Sequence, residues 1–172
     1  ARLHAVGAQR PFSHRPALDV ASFAREPRDW LLAHHAIPME VEKRWTALCD
    51  TAIAAIEAQF AEVQPAQLRL HGDCHPGNVL WTPNQGPHFV DLDDARTGPA
   101  VQDLWMLLSG DRPQQLQQLG ALVDGYEQMR EFDRRELALI EPLRTLRLVH
   151  YSAWLARRWD DPAFPRAFPW FG

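Results

Sequence analysis

The sequence predicts an α+β protein, mostly α-helical, with one small β-hairpin carrying a concentrated set of polar residues. Three observations lead there. Apolar residues recur at helical spacing from Met39 to about Val63, again from Leu116 to Met129, and again from Asp133 to about Arg158. Short apolar pieces at Leu68 to Leu70, Val79 to Trp81 and His88 to Leu92 are too brief for helices. Gly72, Pro76 and Gly77, then Thr82-Pro83-Asn84-Gln85-Gly86-Pro87, interrupt those pieces with turn residues.

Taken in order, Arg2-Leu3-His4-Ala5-Val6 reads like the middle of a helix, and the chain opens on Ala1 rather than Met, so a piece of a longer protein is expected. Gly7 to Pro16 is a loop whose Phe12-Ser13-His14-Arg15-Pro16 has no period and is placed at the surface. A short helix over Arg28 to His35 precedes Pro38, which opens the long helix. Its inward stripe is Val41, Trp45, Leu48, Ala52, Ile56 and Phe60, widened by Cys49, Ile53 and Val63, so Cys49 belongs to the core. After Arg96-Thr97-Gly98-Pro99, a helix from Ala100 to Ser109 is apolar nearly all round and therefore central, with Asp103 its polar exception. Leu116, Leu119, Leu122, Val123, Tyr126 and Met129 line the next helix. Asp133 with Glu136 has the spacing of a capping box, and Pro142 kinks or restarts the last long helix. The tail from Trp159 to Gly172 is expected to lie extended on the core through its aromatic side chains.

At 172 residues, 46% hydrophobic and 23% charged, the composition is that of one globular domain, residues 1–172. A net charge of -4 without a dense Lys/Arg run gives no electrostatic case for a nucleic-acid partner or an anionic membrane. No apolar run approaches the roughly 20 residues of a membrane-spanning helix. Cys49 and Cys74 form no Cys-x-x-Cys pair, which suits a reducing compartment.

The chemistry sits in Leu68-Arg69-Leu70-His71-Gly72-Asp73-Cys74-His75-Pro76-Gly77-Asn78-Val79-Leu80-Trp81 and in His88-Phe89-Val90-Asp91-Leu92-Asp93-Asp94. If the hairpin pairs symmetrically about a six-residue turn, Asn78 faces Asp91, with Cβ atoms about 5 Å apart. An amide oxygen and a carboxylate would then suit a hard cation such as Mg²⁺; a register slip by one residue would separate them. His-x-Asp with Asn five residues after the Asp, then an acid on the next strand, is what phosphoryl transfer from a nucleotide requires. One carboxylate, Asp73, accepts or orients the proton of the attacking hydroxyl. Asn78 and Asp91 hold Mg²⁺ on the phosphates, and Asp93 is either a second metal ligand or a turn residue. His71 holds the loop by hydrogen bonds. His75 is open between a structural and a phosphate-contacting role, and Cys74 is read as packing. Two other readings compete: a two-metal phosphoesterase, which needs further Asp and His clusters, and a binding lobe docking a partner through its aromatic tail.

The segments His71 to Asn78 and Val90 to Asp93 resemble the catalytic and metal-binding motifs of the aminoglycoside phosphotransferase and choline kinase branch of the protein-kinase-like superfamily. Phe12 to Pro16, Gly98 to Asp111 and Arg157 to Pro165 resemble the bacterial stress response kinase A family, so the likeness runs essentially end to end. That resemblance implies a cytoplasmic, ATP-dependent serine/threonine protein kinase with the aminoglycoside-kinase fold. It implies Asp73 as catalytic base, Asn78 and the catalytic Asp91 as magnesium ligands, Asp103 as a brace for the loop backbone, and Leu80 as floor of the adenine pocket. The acceptor is a protein Ser/Thr, or alternatively a small hydroxyl compound such as an aminoglycoside, choline or homoserine. A Gly-rich phosphate loop and a strand lysine with its glutamate have no counterpart in these residues. The chain is therefore expected to be a C-terminal catalytic lobe without its N-terminal nucleotide-binding lobe, and by itself to bind ATP·Mg²⁺ weakly and phosphorylate nothing.

Overall fold

A computed structural model describes residues 1–171. Helix α1 (Arg2–Gly7) opens the chain, and a π-helical turn (Ala21–Arg25) runs into α2 (Glu26–Ala33) and α3 (Met39–Val63). Strand β1 (Leu68–Leu70), a 3-10 turn (Pro76–Asn78), β2 (Val79–Thr82), β3 (Gly86–Phe89) and β4 (Arg96–Gly98) follow. The chain continues through α4 (Gln102–Trp105), α5 (Arg112–Glu127), a 3-10 segment (Arg134–Leu139), α6 (Ile140–Ala156) and α7 (Ala163–Ala167). The mostly helical α+β class is as predicted. Two compact units share the chain: Ala1–Leu18 with Val63–Ile140, and Asp19–Glu62 with the stretch beginning at Glu141.

In the second unit, α3 spans the predicted residues, and part of its predicted stripe is buried. Its buried stripe is Cys49, Ile53 and Ile56, whereas Leu48 and Val41 of the expected stripe are exposed. Positions 49, 53 and 56 keep the i, i+4, i+7 spacing of one face, and burying an isoleucine there stabilises by about 1.5 to 3 kcal/mol. Leu143, Leu146, Ala153 and Leu155 of α6 are buried. The ring of Phe23 stacks on His150 at 4.3 Å, and the Arg157 guanidinium lies over Trp30 while pairing with Glu26. The tail is not extended throughout: Ala163–Ala167 forms α7, and Phe164 and Phe168 meet Trp154 at 5.3 and 6.3 Å. Gly172, at the end of that expected tail, lies outside the described residues.

The first unit carries two two-stranded antiparallel sheets. β1 pairs with β4, Leu68 opposite Gly98 and Leu70 opposite Arg96, and β2 pairs with β3. In the hairpin, Val79 pairs with Phe89, Leu80 with His88 and Thr82 with Gly86, one residue away from the symmetric register. The cause is a tighter turn than the six residues expected. Gln85 N donates to Thr82 O at 3.3 Å across a turn with Pro83 in its second position, and Gly86 follows at φ 78°. A β-turn followed by a left-handed glycine leaves three residues, Pro83 to Gln85, between the paired Thr82 and Gly86. The helix expected over Ala100 to Ser109 is α-helical only at Gln102–Trp105, flanked by i to i+3 bonds such as Gln102 N to Pro99 O (3.1 Å) and Leu107 N to Leu104 O (3.2 Å). It is central as predicted: Val101 and Leu104 are buried. In α5, Leu116 is exposed, as is Met129 just beyond it, while Val123 and Tyr126 face inward.

The capping box falls elsewhere than predicted. Asp111 and Gln114 form it at the start of α5. Asp133 does cap its 3-10 segment, through Arg135 N, but Glu136 turns inward and accepts from Val101 N at 2.9 Å. The tertiary acceptor role outweighs the local one.

Candidate active site

The site is built on the loop between β1 and β2, and side chains hold several of its backbone groups. Asp103, 6% exposed on α4, sits under the loop. Its Oδ2 accepts from His71 N at 2.8 Å and its Oδ1 from Gly72 N at 2.9 Å. Oδ2 also accepts from His4 Nε2 at 2.8 Å, and His4 Nδ1 meets the Tyr126 hydroxyl at 3.0 Å. Burial pushes the Tyr126 phenol up to about 12, so it remains a hydroxyl. Gln102 Nε2 donates to Gly72 O at 3.1 Å. Gly72 has φ 88°, and a Cβ there would lie 2.1 Å from Asp94 O, so only glycine lets the Asp91 to Asp94 segment pass so close.

Two bonds tie this loop to the facing strand. His71, 1% exposed, donates from Nε2 to Val90 O at 2.8 Å, and Val90 N donates to Asn78 O at 3.0 Å. Both polar groups of Val90 are thereby fixed, immediately before Asp91. Asn78 thus faces Val90, and the predicted Asn78–Asp91 cross-strand pair does not form. Asp91 instead has φ 61°, a left-handed conformation that takes it out of the strand, so strand alternation no longer sets its side chain's direction. A non-glycine residue there costs about 1–3 kcal/mol and is found where surroundings impose it.

Within the loop, Asn78 is 9% exposed and donates from Nδ2 to Asp73 O at 3.0 Å. That bond consumes the donor end of the amide and leaves Oδ1 as the acceptor. His75 Nδ1 accepts from Gly77 N at 3.0 Å, so its Nε2 carries the proton, and Nε2 lies 3.4 Å from Asp73 Oδ2. His75 thus lies beside the Asp73 carboxylate. Cys74 is 3% exposed, and burial pushes its thiol up to about 12, which fits packing and not reactivity. Leu80 is exposed on β2 and Asp93 is exposed after the strand. A cavity of about 650 Å³ is lined by His4, His71, Cys74, Leu104 and Tyr126, but not by Asp73, Asn78 or Asp91.

The donor set suits a hard cation shared with phosphate. Among the described residues no three His, Cys, Asp or Glu side chains gather as a metal-binding group. One amide oxygen and one or two carboxylates are what Mg²⁺ takes when phosphate oxygens and water complete its shell. The sequence reading assigned His4, Tyr126, Gln102 and Glu136 no part in the site. A polar side chain inside an apolar helical stretch was the available signal for His4.

A braced loop followed by an acidic residue in left-handed conformation stands on a small-sheet helical scaffold, and the class this chain falls in is that of the phosphotransferases. An AMP-bound crystal structure of spectinomycin phosphotransferase, APH(9)-Ia, shares the fold, with TM-score 0.57 over 87% of this chain and 52% of that one at 17% identity. Residues 1–140 match the phosphotransferase enzyme family (APH), and the chain belongs to it. Stress response kinase A of Escherichia coli (strain K12) is 51% identical over 169 residues, covering 98% of this chain and 51% of that protein. The serine/threonine protein kinase RdoA of Salmonella typhimurium (strain LT2) matches with the same identity and coverage. The chain thus spans about half the length of the curated relatives it matches. No helix among the described residues is long and apolar enough to cross a membrane.

Proposed function

We propose that this chain carries the base and metal residues of an ATP-dependent kinase whose acceptor is a serine or threonine hydroxyl of a protein. The observation that carries the reading is the closed set of bonds through which Asp103 braces His71 and Gly72, His71 and Asn78 hold Val90, and Asn78 is tied to Asp73. Such a loop meets a substrate with its charges already aimed, which is how an enzyme lowers the barrier to a charge-rich transfer. The Asp73 carboxylate takes the acceptor hydroxyl's proton as its oxygen bonds to the γ-phosphorus. The bond from that phosphorus to the bridging oxygen breaks, and ADP leaves with the electron pair. His75 Nε2, 3.4 Å from Asp73 Oδ2, stands beside the base. A bound Mg²⁺, held by Asn78 Oδ1 and the Asp91 carboxylate with Asp93 as a further candidate, would neutralise phosphate charge. Leu80 would floor the adenine.

The protein acceptor rests on the printed names of the relatives, stress response kinase A and serine/threonine protein kinase RdoA. A small hydroxyl acceptor is the second reading. Incubating the full-length protein with ATP and mapping phosphate by mass spectrometry decides between them: phosphoserine or phosphothreonine supports the first, and phosphate solely on small molecules supports the second. Asp73→Ala should lower transfer by about 10²–10⁴-fold, the usual worth of a positioned base. Retained activity would remove Asp73 from that role.

A further inference from the structure

We propose that Arg15 is a positioning residue for the metal site: it orders the segment from Asp91 to Ala95 so that Asp91 presents its carboxylate to the cation. The inference rests on Asp91 being the metal ligand proposed above. Residues 91–95 form neither helix nor strand, so their carbonyls need other partners. Arg15 Nη1 donates to Leu92 O at 3.2 Å, Asp93 O at 2.7 Å and Ala95 O at 3.1 Å. Asp94 O accepts from Arg96 Nε at 2.8 Å, and Leu92 O accepts in addition from Ala95 N at 3.0 Å. Two guanidinium groups therefore supply most of the hydrogen bonds a regular element would have made, immediately after the left-handed Asp91. A guanidinium suits this task because it stays charged and its donors are held in a rigid fork.

Arg15 is itself located from both sides. Pro16 O accepts from Thr97 N at 3.4 Å, Leu18 N donates to Thr97 O at 2.7 Å, and Ala17 bridges Thr97 in parallel. Residues 16–18 thus zip onto β4, the strand that follows the metal-bearing segment. On the other side, the Phe12 ring lies 5.8 Å from the Arg15 guanidinium and 4.8 Å from that of Arg69, whose Nη2 donates to Pro11 O at 2.9 Å. Arg69 is in β1, which leads into the Asp73 loop. Residues 11–18 are thus a strap fastened to the strand before the base loop and to the strand after the metal loop. Pro16 to Leu18 would hold the strap down without Arg15, so the guanidinium's own effect falls on the carbonyls beside Asp91.

The test is a titration of full-length protein with Mn²⁺ in the presence of a non-hydrolysable ATP analogue, free Mn²⁺ being read by electron paramagnetic resonance. Arg15→Ala should weaken Mn²⁺ binding by about 10-fold, the usual loss when a group supporting a ligand is removed. Arg15→Lys should recover part of that loss, and Arg10→Ala, on a neighbouring exposed arginine, should leave affinity unchanged. Affinity of Arg15→Ala within twofold of the parent, or an equal loss in Arg10→Ala, overturns the proposal. Should Arg15→Ala fail to fold, Arg15→Gln carries the same comparison with the chain length kept. Asp91→Asn separates the two layers: if it binds Mn²⁺ like the parent, the metal assignment itself falls, whatever Arg15 does.

Discussion

Replacing Glu136 by Gln should change how the stability of this protein depends on pH. Glu136 is 2% exposed, and burial pushes its carboxyl from an ordinary 4.5 up to about 7, against the lowering effect of the Val101 N–H bond. Below pH 4.5 the group is protonated whether the chain is folded or not. Above it the unfolded chain releases the proton and the folded chain retains it, so stability falls as pH rises and levels off past about 7. At 1.36 kcal/mol for each pH unit the ceiling is about 3 kcal/mol, of which about 2 to 3 kcal/mol is lost between pH 5 and 8. Glu136→Gln keeps an oxygen for Val101 N and removes the titration. Urea unfolding of both proteins, followed by tryptophan fluorescence from pH 5 to 8, should show the variant gaining on the parent by that amount as pH rises. Parallel pH profiles would refute the burial argument, whatever constant offset separates them.

Asp103→Asn offers one oxygen where three donors now converge, so a buried N–H loses its partner, at a cost of about 1–3 kcal/mol in unfolding free energy. In the full-length protein kcat should fall while the KM for ATP stays within a few-fold; an unchanged kcat would contradict the brace. Cys74, 3% exposed with its thiol pushed up to about 12, should react with an aromatic disulfide reagent only at the rate of unfolding. Rapid labelling of the native protein at that residue would contradict its placement.

The parts of the fold legible in the sequence were those governed by local periodicity. The limits of α3 follow from Pro38 and a sustained helical period, although the widened stripe was too broad, and Cys49, Ile53 and Ile56 proved to be buried while Val41 and Leu48 are exposed. Strand positions were legible from turn residues, but register was not. Thr82 to Pro87 contains both a wide and a tight solution, and the left-handed Gly86 selects the tight one. Asp111-Arg112-Pro113-Gln114 and Asp133-Arg134-Arg135-Glu136 present the same capping pattern. They separate only in three dimensions, because Val101 N draws Glu136 inward. The candidate site was legible as a set of residue types at set spacings. Its supports were not: Arg15, His4 and Tyr126 act across separations of 77 to 122 residues, which no local pattern encodes.

The convergence on Asp103 bears on the order in which the molecule assembles. His71 and Gly72 are 32 and 31 residues away from it in sequence, and His4 is 99 away. Closing the longest of these loops costs the most chain entropy and follows the local helices. The carboxylate therefore acquires its full set of donors late in folding, after α3 and α5 have formed. On heating, the same ordering runs in reverse: in the full-length protein, kinase activity should disappear at a lower temperature than helical circular dichroism, leaving an interval in which it is folded by one measure and already inert by the other.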